Sequence, residues 1–525
     1  MHPTPGCFAC KARKKKCDAV KPICRGCTRN HLVCDWPTEA QGRPRGGRGI
    51  PSSALSMFSV TSDLQGQDGD GSHVKPATPA RRRARSSPQV LPVSSPLSMS
   101  LSLSGPLRPE SRYLLDHYLH STGKKASAHV GNQGKYTPFT DALMPVANES
   151  AMLFESILTF SCFHLAANNS SLSMVDTLEQ HSVALQSLKY GITKYSKGDR
   201  VFGIHLFLSM LMLTCTEIAN GGQSGSAFQH LSALRRLAPE VLGRISEAPS
   251  GAHSAFIFGR ELYAYCLCVA CICDPEAPDD LGLIAEADSL FSEISASGYT
   301  GALFGCSDTL FCLIPQVSSH LTRARALREH GRCTALGRPA FAASNSDAAS
   351  LELQIAITHT RVSLWEPNTD TDETFQYSGR ILQLALTSML VEAAYWIGME
   401  TPPETEEYIG NTSHVSSRPY LDAQVQILVA EAVSLLKKLP PKKSQIATTM
   451  CWSIVVIGSY ATEQHHRDNI RDYFLTMEAT FGFDNMKRSR LTLEYIWAHV
   501  KNFNEQRPMP IAEAMRHTGG LFILG

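Results

Sequence analysis

Six cysteines in the first 34 residues are spaced Cys7-x2-Cys10-x6-Cys17-x6-Cys24-x2-Cys27-x6-Cys34. A C-x2-C-x6-C unit therefore occurs twice, joined by a six-residue loop. Clustered thiolates favour zinc, and structural zinc is tetrahedral with every position filled. Two tetrahedral ions need eight sulfur positions. Six cysteines supply eight only if two of them bridge both metals. In a two-fold repeat the natural bridges are the first cysteine of each half, Cys7 and Cys24. One zinc is then held by Cys7, Cys10, Cys17 and Cys24, and the other by Cys7, Cys24, Cys27 and Cys34. Phe8, Ile23, Leu32 and Val33 are nearly all the apolar content of this stretch. Metal binding must therefore supply its folding free energy, and the module is expected to unfold without zinc.

Cations surround the cysteines. Two Zn²⁺ and six thiolates carry a net negative charge, which Lys11, Arg13, Lys14, Lys15, Lys16, Lys21, Arg25 and Arg29 compensate. Nearby cations also favour the thiolate over the thiol. The run Lys11-Ala12-Arg13-Lys14-Lys15-Lys16 contains no glycine or proline and is expected to form a short helix. Its basic side chains cannot all face one way, so some should reach phosphates and others base edges in the major groove. The imbalance extends beyond the cysteines. Residues 1–110 hold 17 Lys and Arg against 7 Asp and Glu, whereas the remainder holds 32 against 41. A basic front on an acidic body points to a polyanionic partner for the front.

The ligand spacings, the basic run after the second cysteine and Lys21-Pro22 before the fourth resemble the fungal binuclear zinc-cluster family of transcription regulators. That resemblance implies two zinc ions and double-stranded DNA read at CGG-type triplets. It places Lys14 at the main base contact, with Arg13 next. Lys11, Lys15, Lys16 and Arg29 are then left for phosphates. It further implies a nuclear regulator of genes transcribed by RNA polymerase II, of the kind that controls a metabolic or biosynthetic pathway, working with transcription machinery or co-regulators.

Residues 37–109 are rich in Gly, Ser, Pro and Arg, a composition that cannot bury enough surface to offset ordering entropy. Arg81, Arg82, Arg83 and Arg85 form a basic block there, readable as a nuclear import signal or an extra phosphate clamp. Many relatives carry a coiled coil just after the cluster. Here residues 35–64 show no apolar heptad, and their Gly and Pro content opposes a helix. The expected organisation is a zinc-cluster domain over 1–36, a disordered linker over 37–109 and an all-α domain over 110–525. Binding as a monomer, or pairing through the large domain, is expected in place of a zipper.

Apolar residues recur at helical spacing throughout the large region. In 421–439, Val425, Leu428, Val429, Ala432, Leu435, Leu436 and Leu439 share a face, Lys437 and Lys438 occupy the last turn, and Pro440-Pro441 stops the helix. The same pattern predicts helices near 112–121, 150–167, 175–195, 201–218, 226–238, 254–273, 285–296, 308–330, 350–365, 375–397, 450–464, 467–480 and 486–502. The apolar runs at 206–215 and 262–273 are shorter than the ~20 residues of a membrane span. They read as buried helices of a chain expected to be soluble and intracellular, with no membrane partner. Ordered blocks in this region resemble the second of the two common fungal regulator domains found behind zinc clusters. They are Thr137-Pro138-Phe139 before 153–167, Phe228-Gln229-His230-Leu231 before Arg235-Arg236-Leu237, 452–460 before Arg467, and Tyr495-Ile496-Trp497. This second resemblance implies regulation of activity and, in some relatives, a small apolar effector such as a sterol.

Three other groups invite chemistry. Cys266, Cys268, Cys271 and Cys273 would point to about 0°, 200°, 140° and 340° around a helix, so they read as core residues. His465 and His466 are adjacent and expected to face different directions. Asp279-Asp280 lacks a neighbouring third aspartate. No catalytic role is expected. Two rival readings of the chain are a zinc-dependent protein-interaction module without DNA affinity and a helical enzyme fused to a DNA-binding module.

Overall fold

The computed structural model describes residues 15–21 and 24–25 at the front of the chain. From residue 107 onward it describes all but 127–136, 169–172, 200–201, 223–224, 244–251, 274–280, 297–301, 305–306, 336–344, 399–417, 443–444 and 501–507. The chain divides into two units, Met1–Pro96 and Leu97–Gly525. No strand occurs among the described residues.

The second unit is a stack of helices, as the periodicity predicts. They are α1 (Pro109–His117), which continues through a π-helical turn (Tyr118–Thr122) and a single α-helical turn (Gly123–Ala126), α2 (Pro138–Asp141), α3 (Leu143–Ala147), α4 (Ala151–Asn168), α5 (Met174–Ser196), α6 (Phe202–Ala219), α7 (Ser226–Leu242), α8 (His253–Cys273) and α9 (Leu281–Ala296). They continue with α10 (Asp308–Phe311), α11 (Ile314–Ala335), α12 (Asn345–Ser363), α13 (Glu373–Gly398), α14 (Arg418–Lys438), α15 (Cys451–Ser459), α16 (Gln464–Phe481), α17 (Asp484–His499) and α18 (Ile511–His517). Local chemistry marks several ends. Pro109 opens α1, where its missing N–H costs nothing. Ser173 and Asp176 form a reciprocal capping box on α5. Gly482 closes α16 in the left-handed conformation, φ 74°.

Boundaries differ from expectation where tertiary packing intervenes. The helix expected to stop at 238 runs to Leu242 with Pro239 inside it. So near the end, the ring deprives the helix of only one hydrogen bond. The single helix expected over 308–330 is two, because the chain turns at Cys312 and Leu313 and restarts with Pro315 in the first turn of α11. The helix expected over 450–464 ends at Ser459 and resumes at Gln464. Helices α2, α3 and α18 were not expected. They are too short for a 3.6-residue repeat to register.

α4 packs on α5 and α6, α6 on α7, α11 and α14 on α13, and α16 on α17. Helices α4, α6, α8 and α13 have the length and hydropathy of membrane spans, but 67%, 78%, 89% and 67% of their most apolar windows are buried within the protein. Neighbouring helices therefore account for that hydropathy. Arg260 and Glu261 lie inside α8, just before its apolar run. Glu261 has no exposure and accepts the Leu303 and Phe304 amides, while Arg260 pairs with Glu293 at 2.9 Å.

Candidate metal centre

Of the six clustered cysteines, Cys17 and Cys24 fall among the described residues. Cys7, Cys10, Cys27 and Cys34 lie outside them, as do Lys11, Arg13, Lys14, Arg29, Arg81, Arg82, Arg83 and Arg85. Cys17 Sγ, Cys24 Sγ and a carboxylate oxygen of Asp18 lie within 4.8 Å of one another. Two sulfurs on one tetrahedral zinc stand about 3.8 Å apart, given a Zn–S bond of about 2.3 Å. The pair therefore fits the donor set of one zinc, although six residues separate the two cysteines in sequence.

The loop between them explains the convergence. The Arg25 amide donates to both oxygens of Asp18, at 3.3 and 3.1 Å, and so ties the residue after Cys17 to the residue after Cys24. Ala19 turns the loop with a left-handed φ of 55°. An L-residue there carries a steric cost of about 1–2 kcal/mol, which the closed loop must offset. Cys24 is fully buried, whereas Cys17 is half-buried. Lys15, Lys16, Lys21 and Arg25 are exposed. Lys15 and Lys16 are not helical, contrary to the helix expected over residues 11–16.

Elsewhere the structure gives the conspicuous residues packing roles. Cys266, Cys268, Cys271 and Cys273 are all buried along α8, as their angular spread requires. Burial pushes the Cys268 thiol well above its usual range, which keeps it protonated. The blocks of the second resemblance meet as tertiary contacts. Arg467 donates from Nε to Ala461 O at 2.8 Å and from Nη2 to Val500 O at 2.9 Å, and Trp497 Nε1 donates to Gly458 O at 2.8 Å. Arg235 pairs with Glu286 at 3.0 Å, and Tyr263 donates to the same carboxylate.

Sequence reasoning missed a highly connected buried charge, Glu392, which has no exposure. It accepts from Arg325 Nε and Nη2 at 2.8 and 2.9 Å, from Trp396 Nε1 at 2.8 Å and from Tyr460 Oη at 2.6 Å. The group borders a cavity of about 80 Å³, but its polar atoms are committed to one another. Asp279-Asp280 lies outside the described residues. His465 and His466 do not diverge as expected: their ring centroids are 3.9 Å apart.

Residues 113–510 match the family described as Fungal specific transcription factor domain. The chain belongs to this family. Residues 5–44 match the Fungal Zn(2)-Cys(6) binuclear cluster domain, so the Cys17–Cys24 pair belongs to a zinc-binding module. The chain is 30% identical to Transcription factor lfc1 of Flammulina velutipes, over 21% of this chain and 40% of that protein. It is 26% identical to Transcriptional activator protein UGA3 of Saccharomyces cerevisiae, over 32% of this chain and 30% of that one. Zinc cluster transcription factor CZF1 of Candida albicans is 44% identical over 8% of this chain and 11% of its own. The chain thus spans less than half the length of these curated relatives. No solved structure matches it.

Proposed function

We propose that this member of the fungal transcription factor family is a nuclear, sequence-specific regulator of RNA polymerase II genes. Its zinc cluster, within residues 1–36, reads CGG-type triplets in the major groove of double-stranded DNA. Residues 37–109 give that module reach, and the all-helical domain over 110–525 controls output or recruits co-regulators. The observation that carries this reading is the convergence of Cys17 and Cys24 beside exposed Lys15 and Lys16, inside the segment that matches the binuclear cluster. Two zinc ions are held by Cys7, Cys10, Cys17, Cys24, Cys27 and Cys34, with Cys7 and Cys24 bridging. The full burial of Cys24 beside the half-burial of Cys17 supports a bridging role, because a sulfur shared by two metals sits between them. The zinc supplies structure: saturated thiolate coordination leaves no position for substrate.

Lys14 and Arg13 are assigned to base edges, and Lys11, Lys15, Lys16 and Arg29 to phosphates. The exposed, non-helical placement of Lys15 and Lys16 supports the phosphate assignment. Arg81, Arg82, Arg83 and Arg85 serve nuclear import. A gel-shift with CGG duplex against a scrambled duplex tests the whole reading. Binding should require zinc and disappear with a chelator. Lys14→Ala should relax the preference for CGG, and Lys16→Ala should weaken both duplexes evenly and lower the salt slope by about one. Zinc-independent binding, or equal sequence-blind losses in both variants, would overturn it.

The apolar cavity open to a small effector is lined by Phe139, Phe160, Tyr265, Leu303, Phe483 and Met486. Its volume is about 70 Å³. That is smaller than the ~150 Å³ cavity that accepts benzene, so a sterol would enter only if the helices moved apart.

A further inference from the structure

The turn between α15 and α16 gathers three metal-ligating side chains that the zinc cluster does not use. Glu463 is the residue before α16, and His465 and His466 lie in its first turn. One carboxylate oxygen of Glu463 and a ring nitrogen from each histidine all fall within 4.8 Å of one another. Glu463 Oε2 is 3.2 Å from His465 Nδ1 and 3.9 Å from His466 Nδ1. Ligands on one tetrahedral zinc at about 2.1 Å would be spaced about 3.4 Å apart, so small side-chain movements complete the set.

Two features separate this group from an ordinary charged helix start. Glu463 stands where a carboxylate would cap the helix, yet its side chain accepts no capping hydrogen bond and faces the imidazoles instead. His466 is 6% exposed, and its Nδ1 is buried without any hydrogen-bond partner. A buried polar atom lacking a partner costs free energy, unless something absent from the protein chain occupies its lone pair. The backbone beneath is held from outside the turn. Gln426 of α14 donates to Tyr460 O at 2.8 Å and accepts the Thr462 amide at 3.2 Å, and Arg467 donates to Ala461 O at 2.8 Å.

We propose that Glu463, His465 and His466 form a second, independent site for a zinc-like divalent cation, with solvent supplying the fourth ligand. Two imidazoles and one carboxylate suit zinc and its neighbours rather than magnesium or calcium, which prefer oxygen donors. His465 and Glu463 are exposed at 65% and 52%, which leaves an entry path. Lys437 and the positive end of α16 oppose a cation, whereas Glu463 and nearby Asp422 favour it. The site should therefore hold zinc more weakly than the thiolate cluster.

The test is zinc content of the full chain after equilibration with zinc chloride at fixed free zinc. The protein should bind one zinc per chain more than His465→Ala, whose exposed side chain can be removed without disturbing the core. Cys24→Ser, which damages the cluster, should keep that extra ion. Added zinc should also raise the unfolding midpoint of the helical unit in the unmodified chain and not in His465→Ala, since an ion that binds only the folded state stabilises it. Equal zinc content in the chain and His465→Ala, or loss of the extra ion in Cys24→Ser, would refute the site.

Discussion

Replacing Glu392 by glutamine removes a negative charge from a position with no exposure to solvent. Four donor groups converge on this carboxylate: Arg325 Nε and Nη2, Trp396 Nε1 and Tyr460 Oη. Glutamine keeps one acceptor oxygen and adds an NH₂, which then faces a donor whichever way the amide turns. At least one charge-assisted bond is lost, at about 1.5–3 kcal/mol, and Arg325 is left without its counter-charge. Breaking a buried pair from one side costs about 3–5 kcal/mol. Arg325 keeps 26% of its side chain exposed and can recover some hydration, so the lower end, about 3 kcal/mol, is expected. Urea unfolding followed by tryptophan fluorescence reads this directly, because Trp396 is one of the donors. The midpoint should fall with little change in slope. Arg325→Met combined with Glu392→Met should recover much of the loss, since paired apolar groups leave no orphaned charge. A loss under about 1 kcal/mol in Glu392→Gln, or single-variant losses that simply add in the double variant, would refute the assignment of this group as a coupled buried network.

Acid should destabilise the helical unit before its carboxylates titrate. Burial pushes His164 and His320 down to about 4 from the ordinary 6.5. The unfolded chain therefore binds more protons between those values, and stability is full above pH 6.5 and falls as pH drops toward 4. The loss is on the order of 3 kcal/mol per histidine, and a urea series from pH 7 to pH 5 should show a shallower decline once His164 is replaced by glutamine. Gly482 has φ 74°, and an added Cβ would collide with the Asn168 side chain, which donates to Gly482 O at 2.9 Å. Gly482→Ala should cost about 2 kcal/mol in a thermal or urea melt, whereas Gly198→Ala, at φ 92° with open space around it, should lose only the backbone part, about 1 kcal/mol.

The residues also divide by what could be read before folding. The cysteine spacing speaks for itself, because ligand number and tetrahedral geometry constrain residues close in the chain. The helices and the burial of Cys266, Cys268, Cys271 and Cys273 follow from a 3.6-residue repeat, which is likewise local. Only the tertiary structure decided what lies opposite each helix. Nothing near Glu392 announces Arg325 or Tyr460, each more than sixty residues away, as its partners. The 100° step between His465 and His466 predicts divergence. Their rings meet because His465 is exposed and free to turn toward Glu463, while the packing around His466 buries its nitrogen on the same side. Pro239 marks a stop by its own chemistry, yet the helix passes it because Val241 and Leu242 gain burial in the core. Short-range preference sets where helices can form. Long-range burial sets where they end and which charges they bring face to face, because burying apolar surface and pairing a desolvated charge outweigh the cost of one missing backbone hydrogen bond.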